Sequence, residues 1–254
     1  MKLIPPRLLF LAGLLFMQQQ ATHAASAFWA FEPTEAEWQT WPEYCRVQWT
    51  KWTDGFDPKG NKVYSAAIME QWRQSLGAQT FDSMHHWCAG MIYLNRYRLE
   101  SVAQQKQFYL TSALNEAVFT HDRAEKLGQL YPAISVTLAQ IHQEMGKTDQ
   151  AVGVLKQAIA AQPQRTEAYG ALASLYRKNG DRAQARTVLQ QANSIANGES
   201  AEIQYALGLL NIEMGDIDAA VANAKAAYAR GYPLPGLKRK LTELKRWPNE
   251  PKTG

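Results

Sequence analysis

The sequence lacks any apolar run long enough to cross a membrane. Residues 8–17 consist only of Leu, Phe, Ala, Gly and Met, but this stretch has just ten residues, whereas a spanning helix needs about 20. No later stretch is apolar enough to span a bilayer. We therefore expect no transmembrane segment in the mature chain.

The sequence also lacks the local motifs of several enzyme and cofactor classes. It has no Cys-x-x-Cys-His for covalent c-type haem, no Gly-x-Ser-x-Gly turn, no phosphate-binding glycine-rich loop and no His-Glu-x-x-His. The carboxylates near the tryptophans show no fixed pair of the kind a glycosidase needs. We therefore predict no enzymatic activity and no cofactor.

Acidic residues are absent from residues 1–27, and this part of the chain has the regions of a secretory signal peptide. Lys2 and Arg7 give it a positive start, residues 8–17 are its apolar region, and small residues follow. We expect cleavage near Ala24 or Ala27 and a periplasmic or secreted mature protein. No cysteine lies near the cleavage region, so lipid modification is not expected.

The mature chain has little excess charge of either sign. The whole sequence has a formal net charge of +4, but without Lys2 and Arg7 only 25 basic residues face 23 acidic ones. A nearly neutral chain does not favour a nucleic-acid partner.

Cysteine is scarce, with Cys45 and Cys88 the only two. In an exported protein a pair of thiols tends to be oxidised, so we predict a disulfide between them. The alternatives are two buried thiols or a metal site.

Tryptophan is confined almost entirely to one part of the chain. Seven of the eight tryptophans stand before residue 90: Trp29, Trp38, Trp41, Trp49, Trp52, Trp72 and Trp87. We predict that residues 28–82 form a Trp-rich helical head, with Thr34 capping its first helix. The rings form either the core of this head, because aromatics dominate burial in small folds, or a binding platform.

Three glycines mark a repeat in the second half of the chain. Gly146, Gly180 and Gly215 are 34 and 35 residues apart, and each ends one helical pattern and starts another. Alanines follow at five and at twelve residues after each glycine: Ala151, Ala185 and Ala220, then Ala158, Ala192 and Ala227. Glycine permits the left-handed backbone that ends a helix, and alanine lets two helices approach closely. We therefore predict stacked helical hairpins.

This pattern resembles the tetratricopeptide repeat, a helix–turn–helix unit of 34 residues. The resemblance covers residues 132–165, 166–200 and 201–234. The middle unit matches best, at Tyr169, Leu172, Ala173, Tyr176, Gly180, Ala185, Leu189 and Ala192. Residues 83–131 are expected to hold a degenerate unit and a connection, because His86, Ala89, Gly90 and Tyr93 follow the same first-helix spacing.

The predicted fold is all-α: a tetratricopeptide-type α-solenoid with three clear repeats and one degenerate repeat, preceded by the aromatic-rich helical head. Leu237, Leu241 and Leu244 recur at helical spacing among cations, which predicts a C-terminal capping helix at residues 235–247. Residues 248–254 are expected to be a loose tail.

The resemblance implies that the first helix of each unit lines a concave face that grips a protein or peptide. Carried onto this chain, the groove residues are Gln140, Gln143, Ser174, Arg177, Lys178, Tyr205, Leu209 and Ile212. The groove is then polar and basic in its middle and apolar towards the C-terminus. A guest with an acidic group for Arg177 and a hydrophobic anchor for Tyr205 and Leu209 would complement it.

The function expected from this resemblance is that of an exported scaffold for cell-envelope assembly or secretion. The alternative is a ligand-, metal- or glycan-binding head, possibly catalytic, carried on a repeat scaffold. Its most suggestive feature is the run from His85 to Cys88, since these two side chains share a helix face. No third or fourth ligand is visible, so packing between head and array is the favoured interpretation and no metal site is predicted.

Overall fold

A computed structural model of the protein describes residues 31–247. The predicted signal peptide, Trp29 and the predicted tail lie outside the described residues. Within residues 31–247 the chain forms α-helices, one 3₁₀ turn and no strand beyond a single bridge between Phe56 and Lys62. None of the helices in this part of the chain is long and apolar enough to span a membrane.

The described residues contain twelve α-helices. They are α1 (Glu35–Thr40), α2 (Glu43–Thr50), α3 (Ala66–Leu76), α4 (Ala78–Leu99), α5 (Ala103–His121), α6 (Tyr131–Glu144), α7 (Thr148–Ala161), α8 (Glu167–Lys178), α9 (Arg182–Ile195), α10 (Ala201–Glu213), α11 (Ile217–Ala229) and α12 (Gly236–Glu243). The 3₁₀ turn, Lys51–Thr53, follows α2. The prediction of an all-α fold is confirmed.

The head, α1 to α3, is organised by a helix cap and by buried aromatic rings. Thr34 caps α1 as predicted: its hydroxyl accepts a hydrogen bond from the backbone N–H of Glu37, whose carboxylate reaches back to the Thr34 N–H. Trp38, Trp41 and Trp49 of the head are buried, as is Trp87 of α4, whereas Trp52 is 52% exposed. The buried rings therefore form a core rather than an open platform.

Helix α4 is the joint between the head and the rest of the chain. Cys45 on α2 and Cys88 on α4 form the predicted disulfide, with their Cα atoms 5.7 Å apart. The Trp41 Nε1–H donates to the Cys88 carbonyl at 3.1 Å. Arg96 donates two hydrogen bonds of 2.7 Å to the Glu37 carboxylate. A disulfide, a hydrogen bond and an ion pair thus hold the head against one helix.

Helix α4 begins earlier than the sequence suggested. Gly77, with φ of 85°, separates α3 from α4, so the expected boundary at residue 83 falls inside α4. The Glu125 carboxylate, from the loop after α5, accepts hydrogen bonds from the backbone N–H groups of Gln79 (3.0 Å) and Thr80 (2.8 Å). A distant carboxylate therefore caps α4, which no local spacing could reveal.

Residues 131–229 form three hairpins, α6–α7, α8–α9 and α10–α11. The glycines Gly146, Gly180 and Gly215 have φ of +72°, +84° and +81°, and each ends the first helix of its hairpin. The repeat alanines predicted to lie between helices are fully buried: Ala151, Ala185 and Ala220. The hairpins and their period follow the sequence prediction.

The first helices stand side by side. Helix α4 contacts α6, and α6, α8, α10 and α12 follow in the same order. Helices α4 and α5 form the hairpin expected of the degenerate unit, and they meet closely at Gly90, where an added Cβ would lie 3.3 Å from the Ala113 carbonyl oxygen. Helix α12 ends the row with Leu237 and Leu241 buried against α10 and α11.

Candidate peptide-binding groove

A hollow of about 180 Å³ lies between the first helices of the second and third repeats, α8 and α10. We call it the groove. It is lined by Gly170, Ala173, Ser174, Arg177, Ala185, Leu189, Glu202, Tyr205, Ala206, Leu209 and Tyr232. Four of the eight residues predicted from the sequence are therefore in its walls: Ser174, Arg177, Tyr205 and Leu209.

Small side chains create the space. Gly170, Ala173 and Ala206 are on the facing sides of α8 and α10, and Ala185 and Leu189 of α9 supply the floor. At Gly170 an added Cβ would meet atoms of Glu202 and Ile203 at 3.8 Å, which is ordinary van der Waals contact. Residues with little or no side chain therefore leave part of the space between α8 and α10 open.

The other four predicted residues lie outside the groove. Gln140 is exposed on α6. The Lys178 ammonium donates to the Gln143 side-chain oxygen at 3.4 Å, linking α8 to α6. Ile212 packs against the apolar cluster under α12. The structure therefore does not join the first repeat to the same hollow.

The charge predicted for an acidic guest is already matched inside the chain. The Arg177 guanidinium lies 3.0 Å from one Glu213 oxygen, and Arg182 lies 3.7 Å from the other. Glu213 stands at the C-terminal end of α10, one repeat further along. The end of the groove at Arg177 is consequently less basic than the sequence indicated, because Glu213 was not recognised as a neighbour of Arg177.

The C-terminal connection supplies one wall of the groove. Tyr232, in the connection between α11 and α12, packs on Tyr205 with ring centroids 4.3 Å apart. The Tyr205 hydroxyl also lies against Gly236, where an added Cβ would be 2.7 Å from the hydroxyl oxygen. Leu209 and Ile212 also pack against the cluster under α12. Part of the predicted apolar end of the concave face is therefore covered by the chain itself.

Glu202 is a groove residue that the sequence reasoning missed. It is in the first turn of α10, three residues before Tyr205, so the two side chains share a helix face. Its Oε1 approaches Gly170 across the groove. Desolvation of the carboxyl group, with a smaller contribution from Glu167, raises the pKa of Glu202 although the residue remains reachable from solvent. The (i, i+3) spacing to Tyr205 was the signal that would have identified it.

A network of side-chain amides fixes α10 beside its neighbours. The Gln204 Nε2–H₂ group donates to Asn193 of α9 at 2.8 Å, and its Oε1 accepts from Asn223 of α11 at 2.7 Å. Asn223 in turn accepts from Asn211 at 2.8 Å. Buried amides that satisfy one another hold a single packing, and here they hold α10, which carries Glu202 and Tyr205.

The histidine cluster at the head does not assemble a metal centre. Burial lowers the pKa of His85 to about 4, with His86 as the next contributor, and the sulfur of Cys88 is bridged to Cys45. His86 is hydrogen-bonded to Glu116. Within residues 31–247, no group of three or more His, Cys, Asp or Glu side chains is arranged to hold a metal ion.

The stacked hairpins define an α-solenoid, a class of fold whose members commonly bind other polypeptides. Family models of the tetratricopeptide repeat match residues 113–175, 142–210 and 201–230. Residues 113–230 therefore contain tetratricopeptide repeats. The first match begins within α5, inside the segment assigned to the degenerate unit.

Several solved structures are similar to the chain. A thermophilic tetratricopeptide-repeat protein of Thermus thermophilus is 19% identical in sequence. The alignment covers 68% of this chain and 97% of the Thermus chain, with a TM-score of 0.46. Two structures of MamA are each 17% identical, with TM-scores of 0.43; they cover 67% and 82% of this chain and 86% and 96% of their own. A comparison with curated proteins gives no match.

Proposed function

We propose that the protein is an exported, non-catalytic tetratricopeptide scaffold that binds another protein or a peptide in the groove, in the service of cell-envelope assembly or secretion. The observation that supports this proposal is the hollow between α8 and α10, which contains Ser174, Arg177, Tyr205 and Leu209. These are residues that the family resemblance assigns to the binding face.

The groove offers two kinds of contact to a guest. Tyr205, Tyr232 and Leu209 provide apolar and aromatic surface for a hydrophobic anchor, the usual source of most binding energy at such interfaces. The acidic group predicted for the guest would have to share Arg177 with Glu213. We therefore assign the anchor, rather than the acidic group, as the main element of recognition.

Export is the second part of the proposal. The leader-like residues 1–27 support it, and so does the Cys45–Cys88 bridge, because disulfides persist mainly in oxidising compartments. Mass spectrometry of the protein isolated from its native cells tests this part. We expect a mature N-terminus close to residue 25 or 28 and an intact disulfide; an uncleaved N-terminus would contradict export by this route.

Filling the groove tests the binding site without removing any core contact. Ser174→Trp places a side chain of about the hollow's own size in the opening. Ser194→Trp introduces the same residue at an exposed position on α9 and serves as the control. After proximity labelling identifies the native partner, we expect the purified partner to bind wild type and Ser194→Trp alike and to bind Ser174→Trp at least tenfold more weakly. Equal binding by all three proteins would place the partner elsewhere.

A further inference from the structure

The two charged residues that line the groove lie at opposite ends of it. Glu202 faces Gly170 near the start of α8, and Arg177 is in the last turn of α8. At a rise of 1.5 Å per residue, Gly170 and Arg177 are about 10 Å apart along the helix. The groove therefore has an acidic end and a basic end, separated by the tyrosine pair and Leu209.

The two ends differ in how well their charges are matched. Arg177 is paired with Glu213 at 3.0 Å. The Glu202 carboxylate has no hydrogen bond or ion pair to any residue between 31 and 247, while its neighbour Glu167 is paired with Arg165. A partly desolvated carboxylate without a partner gains most from a cation brought against it. Its raised pKa has this same physical origin.

The aromatic wall has the matching chemistry. Tyr205 stands one turn after Glu202 on α10, and Tyr232 packs on it at 4.3 Å. The faces of tyrosine rings attract cations, and a planar guanidinium also stacks on them. Gly170 and Ala206, which flank this end of the groove, present almost no side chain to obstruct a long basic one.

We propose that the guest places a basic side chain, arginine in preference to lysine, in the acidic end of the groove, where its cation lies between the Glu202 carboxylate and the Tyr205–Tyr232 pair. This inference rests on the proposed function, because it names a group of the same guest. It also reverses the sign of the charge that the sequence predicted for the guest.

Selection of peptides from a random phage-displayed library tests the proposal. The library is selected in parallel on the wild-type protein, on Glu202→Gln, and on Glu243→Gln, which removes one negative charge from an exposed position on α12. We expect arginine and lysine to be enriched among the peptides selected by wild type and by Glu243→Gln. This enrichment should be lost on Glu202→Gln.

A double-mutant cycle then measures the contact itself. The tightest selected arginine peptide is synthesised with arginine and with citrulline, which is nearly isosteric but neutral. For wild type we expect citrulline to weaken binding about tenfold, in line with the loss of a charged hydrogen bond. For Glu202→Gln the two peptides should bind equally. Glu202→Gln should retain the thermal midpoint, because the Glu202 side chain is exposed and makes no hydrogen bond or ion pair with residues 31–247, so weakened binding would not reflect unfolding.

The Ser174→Trp variant distinguishes a failure of this inference from a failure of the proposed function. The selected peptides could lose affinity for Ser174→Trp but show no enrichment in basic residues, or could bind the wild-type protein equally well with arginine and with citrulline. Either result would contradict the cation site and leave the groove as the peptide-binding site. If no selected peptide is weakened by Ser174→Trp, the groove does not bind peptides and both proposals fail.

Discussion

His85 illustrates how one half-buried side chain in this protein couples folding to pH. It lies on α4 beneath the head, and its Nδ1 is 3.4 Å from the Gln48 side-chain nitrogen. Burial lowers the pKa of His85 to about 4; His86 and Lys51 act in the same direction, whereas the Asp82 backbone and Glu116 oppose them. The imidazole is therefore neutral in the folded protein near pH 7.

Because the pKa of His85 is lowered on folding, protonation favours the unfolded chain. As far as His85 is concerned, the folded protein has its full stability above pH 6.5, which is the pKa of His85 in the unfolded chain. It loses stability as the pH falls from 6.5 towards the folded-state pKa of about 4. At pH 5 this one group should remove about 2 kcal/mol from the free energy of unfolding. Urea unfolding of wild type and His85→Gln at pH 7 and pH 5 checks this. The variant should lose less stability than wild type, and equal losses would contradict the assignment.

Individual groove residues were only partly predictable from the sequence. Ser174 and Tyr205 were found because the repeat register places them on the first helices. The partner of Arg177 was not found, because Glu213 is 36 residues away. Lys178 and Gln143, 35 residues apart, are joined in the same way. In each pair, the second residue along the chain lies one position after the equivalent of the first residue in the next repeat. The repeat period could therefore have identified both pairs.

At the scale of helices and turns, the three repeat glycines act through backbone conformation alone. Gly146, Gly180 and Gly215 all have positive φ, and an added Cβ at any of them would meet no atom within 4 Å. The left-handed backbone is unfavourable for residues with a Cβ. The turn glycines are thus required by conformation and not by crowding.

A pair of glycine-to-alanine variants tests this interpretation. Gly180→Ala should lower the free energy of unfolding by about 1 kcal/mol, because alanine is strained at φ of +84°. Gly153→Ala, inside α7 and equally free of neighbours, should raise it by about 0.5–1 kcal/mol, because alanine is the better helix former. Urea titrations followed by circular dichroism measure both changes. Shifts of the same sign would show that φ is not the deciding factor.

The elements of the array were predictable and those of the head less so, for a physical reason. The sequence signals that mark helix boundaries recur at the same spacing in every repeat, whereas the signals for each helix of the head occur only once. The cap of α4 depends on Glu125, 45 residues from Thr80. The wall of the groove depends on Tyr232, in a turn with no helical periodicity. Contacts of this kind follow from the folded arrangement and leave no local pattern.

At the scale of the whole molecule, the Cys45–Cys88 bridge ties an aromatic head to a helical array. It joins residues 43 apart in sequence, and closing a loop of that length should stabilise the protein by about 4 kcal/mol in the chain-entropy model. Most tryptophans are before residue 90. Fluorescence therefore reports mainly on the head, whereas circular dichroism reports on all helices.

The Cys45→Ala/Cys88→Ala double variant should separate these two signals. We expect the fluorescence-detected unfolding transition to move to lower urea by an amount equivalent to about 4 kcal/mol, while the dichroism transition of the repeats moves less. Trp247→Phe in the same background removes the tryptophan beyond the array and provides the control. Coincident transitions at the wild-type midpoint would mean that noncovalent contacts alone fix the head.

The wall formed by Tyr232 connects the groove to the length of the solenoid. The turn that ends the row of hairpins also supplies one side of the groove, so the last repeat cannot be extended without removing that side. A chain lengthened by one hairpin after α11 would replace α12 and carry Tyr232 away from Tyr205. A hairpin inserted before α8 would leave that contact intact. Repeats added or removed before α8 should therefore be tolerated, whereas repeats added after α11 should not.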